Sequence, residues 1–213
     1  MGNSPRRAFF FDRDGTLIVD CGYIRNPSDV ELLPGVVETL AELRRRGFLL
    51  VVVSNQSGIS RGLITKDEAQ AVAGRFRELL EGRGIALDGV YECPHAPAAN
   101  CDCRKPEPGM LLQAARELDI DLERSYMVGD KSSDCEAGAR AGCSPVLIVN
   151  EAPLGELRHN HSLAVVARKR SLWIQLFGRA AHASKRSGDE VRLAAASGAW
   201  TVIRNISELL QLI

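Results

Sequence analysis

The sequence predicts an α/β fold: a doubly wound, Rossmann-like parallel sheet with helices on both faces. Three observations carry that expectation. Short apolar runs alternate with helix-period segments from Ala8 to Val149, the pattern of strands joined by right-handed helical crossovers. The run "FLLVVVSN", Phe48 to Asn55, is apolar without alternation up to Val53, as a strand buried on both faces requires. Finally, Asp12, Ser54, Cys93 and Asp130 all fall where an apolar run ends, and open parallel sheets bind ligands at the carboxyl ends of their strands.

"AFFF", Ala8–Phe11, is a buried strand stopped by "DRDGT". Val36–Arg46 has helical spacing, with Pro34-Gly35 before it and Gly47 to end it. Phe48–Asn55 is the second strand. Thr65–Arg83 reads as a helix: Thr65 can cap it, Asp67 and Glu68 suit the positive end of its dipole, and Gly84 stops it. "GVYEC", Gly89–Cys93, is a short strand and Pro108–Leu118 a helix. "SYMVGD", Ser125–Asp130, is a strand running into a carboxylate. Ser133–Ala141 is a helix stopped by Gly142, "PVLIV" (Pro145–Val149) a strand, and Trp200–Ile213 a final strand and helix. The whole, residues 1–213, is expected to be a single domain. Residues 151–198 are patchy and lean basic, and read as an insertion or elaboration before the last strand-helix unit.

The composition is that of a soluble globular chain, 45% hydrophobic and 25% charged. Lys+Arg and Asp+Glu are equal at 27 each, so no global field draws in nucleic acid, and an anionic substrate must be met by a local cluster. No apolar run reaches the length of a signal-peptide core or a membrane span. The expected location is the cytoplasm, where the six cysteines stay reduced rather than forming a disulfide framework. A monomer is the favoured oligomeric state.

Four motifs carry chemistry. Asp12 and Asp14 are carboxylates on alternate residues at a strand end, fit to ligate Mg²⁺ or to divide nucleophile and acid roles; Gly15 permits the sharp turn. Ser54 and Asn55, with the amides of the following loop, can donate to phosphate oxygens. Lys105 is a compact cation suited to a phosphate. "GDKSSD" sets Asp130 and Asp134 after another strand, where Asp130 can complete a hard-metal site. Each alone is an ordinary turn or a solvated charge. Their convergence on one rim of one sheet is not ordinary.

Asp12-x-Asp14-Gly15-Thr16, Ser54, Lys105 and Gly129-Asp130 with Asp134 resemble, in order and spacing, the motifs of the haloacid dehalogenase superfamily of phosphotransferases, over roughly Arg7–Val149. The resemblance implies that Asp12 is the nucleophile, forming an aspartyl-phosphate. Asp14 then protonates the leaving oxygen and later deprotonates water, which calls for a raised pKa. It implies catalytic Mg²⁺ on Asp12, the Asp14 carbonyl and Asp130, with Ser54 and Lys105 on the transferring phosphoryl group. Asp134 would orient Lys105 or reach the metal through water. The intervals Asp12–Ser54 and Ser54–Lys105 hold too little chain for a large cap domain.

Cys93, His95, Cys101 and Cys103 offer three thiolates and an imidazole within a few residues. Four such ligands suit a closed structural Zn²⁺ site, with no position left open for catalysis. With this loop, "DRDGTLIVDCGYI", "VSNQSGISRG" and "YMVGDKSSD" closely resemble the D-glycero-D-manno-heptose-1,7-bisphosphate 7-phosphatases and the related histidinol-phosphatases. For the heptose enzymes the resemblance puts Arg104 on a remote phosphate, where its fork can bind in bidentate fashion. Gly22, Tyr23, Asn55, Gln56 and Ser57 would line the sugar. The expected partner is a small phosphorylated molecule, either the heptose bisphosphate or histidinol phosphate. A zinc-stabilised binding module without turnover is the reading from a different class. Residues 151–198 depart from the family pattern; Leu172, Trp173, Leu176 and Phe177 are expected to pack on the core.

Overall fold

The computed structural model describes residues 5–149, 191–195 and 198–213. The strands of these residues are β1 (Ala8–Phe11), β2 (Leu49–Asn55), β3 (Gly89–Cys93), β4 (Tyr126–Gly129), β5 (Ser144–Ile148), β6 (Val191–Ala195) and β7 (Gly198–Ile203). They form one sheet in the order β3-β2-β1-β4-β5-β7-β6. The first six in that order pair in parallel; β6 is an antiparallel edge. Chain order reverses on either side of β1, which places the ligand crevice of such a sheet at the carboxyl end of β1.

Pleating sorts the apolar runs onto two cores. Phe9 and Phe11 of β1 join Leu50 and Val52 of β2 on one face, while Ala8 and Phe10 join Leu49, Val51 and Val53 on the other. The first core is roofed by α1 (Val36–Arg45) and α2 (Lys66–Glu81) through Val36, Leu40, Leu43, Val72, Phe76 and Leu80. The second is roofed by α3 (Gly109–Leu118) and α4 (Ser132–Ala141) through Met110, Leu111, Ala114 and Ala137. This is the doubly wound arrangement the sequence predicts. Phe9 is stacked on Tyr126, with centroids 4.6 Å apart, and meets Phe48 edge-on at 4.9 Å, contacts that add about 1 kcal/mol each beyond burial.

Boundaries follow local chemistry. Thr65 accepts from the Glu68 amide and Glu68 reaches back to the Thr65 amide, so α2 begins on a reciprocal capping box. The helix ends at Glu81, short of the expected Arg83, because the chain already turns over Gly82 and Gly84. The helix expected in the last segment forms over Ile206–Gln211 with 3-10 geometry; it packs Ile206 and Leu209 into the first core. The sequence reading placed residues 191–198 in an insertion. Val191–Ala195 instead pair with β7 as the edge of the sheet. Residues 150–190, including Leu172, Trp173, Leu176 and Phe177, lie outside the described residues. Among the described residues no helix is long and apolar enough to cross a membrane.

Candidate active site

Strand register brings the four sequence motifs together. Asp12 leaves β1 and its amide donates to the Val128 carbonyl of β4 at 2.9 Å, so the Asp12 and Asp130 strand ends lie side by side. Asp12, Asp130 and Asp134 each present a carboxylate oxygen within 4.8 Å of the others. Gly129 makes this approach possible: a Cβ there would lie 2.3 Å from the Asp134 side chain.

Lys105 is the cation of this cluster, and it is 3% exposed. Its ammonium donates to Asp12 Oδ1, Asp134 Oδ1 and the Val53 carbonyl, each at 2.7 Å. Three donors meet three acceptors, so the charge is buried without an unmet hydrogen bond. Burial pushes the Asp12 carboxyl up, but Lys105 and, beyond it, Lys131 outweigh that and hold it below its ordinary value. Burial likewise works against the Lys105 charge, and Asp12 and Asp134 more than restore it. Asp134 is pushed up to about 6 by burial, against the pull of Lys105 and with help from Asp12 and Asp130. Its second oxygen accepts from the Lys131 amide at the start of α4. Both Asp134 oxygens are thereby engaged, which favours orienting Lys105 over ligating a metal directly.

Asp14 sits in a different environment. Gln56 Nε2 donates to its Oδ2 at 3.0 Å and to Ser54 Oγ at 2.8 Å. Burial pushes the Asp14 carboxyl up, Arg13 pulls it down, and Asp12 and Asp20 add to the rise. The net direction is upward, as a proton-carrying group needs. Burial is the largest cause, and the neighbouring carboxylates are lesser ones.

Two residues expected on a ligand are occupied by the protein. Asn55 Nδ2 donates to the Lys105 carbonyl and Asn55 Oδ1 accepts from the Lys105 amide, at 3.0 and 3.1 Å. This two-point clamp ties the loop carrying Lys105 to the end of β2. Gln56 is spent on Asp14 and Ser54. Asn55 and Gln56 both still line, with Gly22, Tyr23, Ser57 and Arg104, a cavity of about 810 Å³ that has Asp12 and Lys105 in its wall. Gly22 has φ +89°, and Tyr23 lies over Gly58, where a Cβ would be 2.6 Å from its ring.

The cysteine loop joins the same cavity. The sulfurs of Cys93, Cys101 and Cys103 lie 3.1 to 3.7 Å apart, and His95 Nδ1 is 3.5 Å from Cys93 Sγ and 3.3 Å from Cys103 Sγ. Tetrahedral Zn–S bonds of about 2.3 Å separate sulfurs by roughly 3.8 Å, so the four atoms are gathered at close to the size of one ion. The soft donor set fits zinc, while the oxygens of Asp12 and Asp130 fit a hard cation. Arg104 Nη1 donates to the His95 carbonyl at 3.1 Å. The cysteine loop thus holds the Arg104 guanidinium through a backbone carbonyl. Sequence reasoning missed Lys131, 3.6 Å from Asp130 and 3.7 Å from Asp20, and Arg13; both lie inside motifs whose neighbours drew attention.

An aspartate pair beyond the central strand, answered by a buried lysine, a carboxylate just past the adjacent strand and another on the helix that follows it, places this sheet in the haloacid dehalogenase class of phosphohydrolases. Comparison with known proteins gives the same class and narrows it. A profile of the HAD-hydrolase-like family matches residues 102–162. D-glycero-β-D-manno-heptose-1,7-bisphosphate 7-phosphatase of Photorhabdus laumondii is 44% identical over 149 residues, 67% of this chain and 79% of that one. The enzyme of the same name from Pasteurella multocida is 42% identical over 172 residues, 76% of this chain and 94% of that one. Among solved structures, the D,D-heptose 1,7-bisphosphate phosphatase of B. bronchiseptica, complexed with magnesium and phosphate, superposes with a TM-score of 0.64 at 31% identity, covering 78% of this chain and 99% of that one. The chain belongs to the heptose-bisphosphate phosphatase family of the haloacid dehalogenase superfamily, and it is a phosphoric monoester hydrolase.

Proposed function

We propose that this protein is a cytoplasmic, Mg²⁺-dependent phosphatase that removes the 7-phosphate of D-glycero-D-manno-heptose 1,7-bisphosphate, a step in lipopolysaccharide-precursor synthesis. The observation that carries the reading is one cavity with cations at two points of its wall: Lys105 and Lys131 among the aspartates, Lys105 locked to Asp12, and Arg104 on the cysteine loop, bonded to the His95 carbonyl. A bisphosphate can use both.

Asp12 Oδ attacks phosphorus in line with the departing sugar oxygen, and an aspartyl-phosphate forms. Asp14 gives its proton to that oxygen, then takes one from the water that cleaves the acyl phosphate. Lys105 and Ser54 meet the charge on the equatorial oxygens. Asp12, Asp130 and the Asp14 carbonyl would hold Mg²⁺, which when bound neutralises phosphoryl charge. Asp134 keeps Lys105 aimed and charged. Cys93, His95, Cys101 and Cys103 hold a structural Zn²⁺ that fixes Arg104, and residues 1–213 act as one domain, with 151–198 elaborating it.

Arg104→Ala is expected to lower kcat/KM on the heptose bisphosphate by roughly 10- to 100-fold, the worth of a charged hydrogen-bonded contact of about 1.5–3 kcal/mol, and to leave histidinol phosphate nearly untouched. Wild-type preference for histidinol phosphate would overturn the substrate assignment. Elemental analysis is expected to give about one zinc per chain, and chelation to lower Tm by roughly 5 °C, about 2 kcal/mol for a chain of this size. Gently purified protein with no zinc would refute the structural metal.

A further inference from the structure

Arg13 lies between the two aspartates of the first motif, and it is 4% exposed. A buried guanidinium is costly unless its donors are met by acceptors, opposite charge above all. Two of its nitrogens face one carboxylate: Nε donates to Asp14 Oδ2 at 3.2 Å and Nη2 to Asp14 Oδ1 at 3.3 Å. The third, Nη1, donates to Glu92 Oε1 at 3.2 Å. Glu92 comes from another part of the chain, on edge strand β3, where it pairs in register with Ser54 of β2. Arg13 follows the carboxyl end of β1, whose register with β2 runs up to Phe11 and Val52, so the ion pair joins the ends of β1 and β3 across the end of β2.

We infer that Arg13 and Glu92 are positioning residues for Asp14. A carboxylate on a freely turning χ1 must be aimed at the leaving oxygen and then at water. The bidentate fork fixes the plane of the Asp14 carboxyl, and Gln56 holds it from a second side. Glu92 fixes the fork in turn, as an outer carboxylate orients a catalytic group through an intermediary. Arg13 touches Asp14 and Glu92 touches Arg13; in this scheme neither touches the phosphoryl group or the leaving oxygen. The inference rests on the reading of Asp14 as proton donor, and the test separates the two.

An acid is needed when the leaving group is a poor one, such as a sugar alkoxide, and is nearly dispensable for p-nitrophenolate. The phosphorylation step is therefore measured in single turnover on an alkyl phosphate and on p-nitrophenyl phosphate. Glu92 is at the sheet edge with a part-exposed side chain, so its variants keep the fold. Glu92→Ala is expected to slow alkyl phosphate cleavage roughly 10- to 100-fold, a part of the roughly 10²- to 10⁴-fold that a placed acid contributes, and p-nitrophenol release less than about threefold. Glu92→Gln, which retains an oxygen for Arg13, is expected to restore most of the loss. Asp14→Asn is run beside them and should show the same leaving-group selectivity more strongly. If Asp14→Asn is selective and Glu92→Ala slows both substrates alike, or neither, the positioning role fails. If Asp14→Asn itself shows no selectivity, the reading of Asp14 fails.

Discussion

Replacing Lys105 with Met is expected to cost both activity and fold stability, more of the latter than any surface substitution in this chain. The ammonium has two carboxylates and a carbonyl at 2.7 Å and almost no solvent. Methionine fills the space but leaves Asp12 and Asp134 buried without their cation. Breaking a buried pair by removing one partner costs about 3–5 kcal/mol, and losing one preorganised donor to a transition state costs on the order of 10²- to 10³-fold in kcat. The stability loss depends on pH in a direction that can be worked out. In the wild type Lys105 holds the Asp12 carboxyl below its unfolded value of 3.8, so that contribution is present above 3.8 and fades as pH falls through the lowered folded value. In the variant both carboxyls lose the group that depressed them, and Asp134 starts already at about 6. A raised folded pKa is a penalty that opens above the unfolded value and is complete above the folded one. Both effects widen the gap between wild type and variant toward neutral pH and close it in acid. Urea melts at pH 4 and pH 7.5 measure this; equal gaps at the two values would overturn the account of Lys105.

Asp12→Asn is expected to abolish turnover, with kcat down on the order of 10⁴-fold or more, as loss of a covalent nucleophile entails. The change is nearly isosteric. Lys105 retains Asp134 and the Val53 carbonyl, so the fold is kept and the loss is chemical. Two measurements check this: phosphate release, and mass spectrometry after acid quench. The wild type should show a transient adduct of one phosphoryl group and the variant none. Undiminished phosphatase activity in Asp12→Asn would exclude the aspartyl-phosphate route.

Most of the fold could be read from the chain because its signals are local. A run such as Leu49–Val53 admits no reading but a strand covered on both faces, and Thr65 with Glu68 states its own helix start. The final helix was legible only in kind. Its six residues, Ile206–Gln211, are too few to prefer α over 3-10 geometry by local propensity. The edge strand Val191–Ala195 depends on a partner it meets only in the sheet.

The site divides in the same way. Sequence alone singled out the candidates: Asp12, Asp14, Lys105, Asp130 and the Cys93–Cys103 cluster stand out by residue type and spacing, and the structure brings them together. Sequence could not say how they serve one another. Asn55 and Gln56 line the cavity as expected of substrate-facing residues, but their amides also bind Lys105, Asp14 and Ser54. Asp134 had two possible roles, and hydrogen bonds to both its oxygens favoured one. Arg13 and Glu92 were invisible as a pair, being 79 residues apart in the chain. A side chain's identity is local information, but its partners are set by strand order and register, and those exist only once β1, β2 and β3 lie side by side.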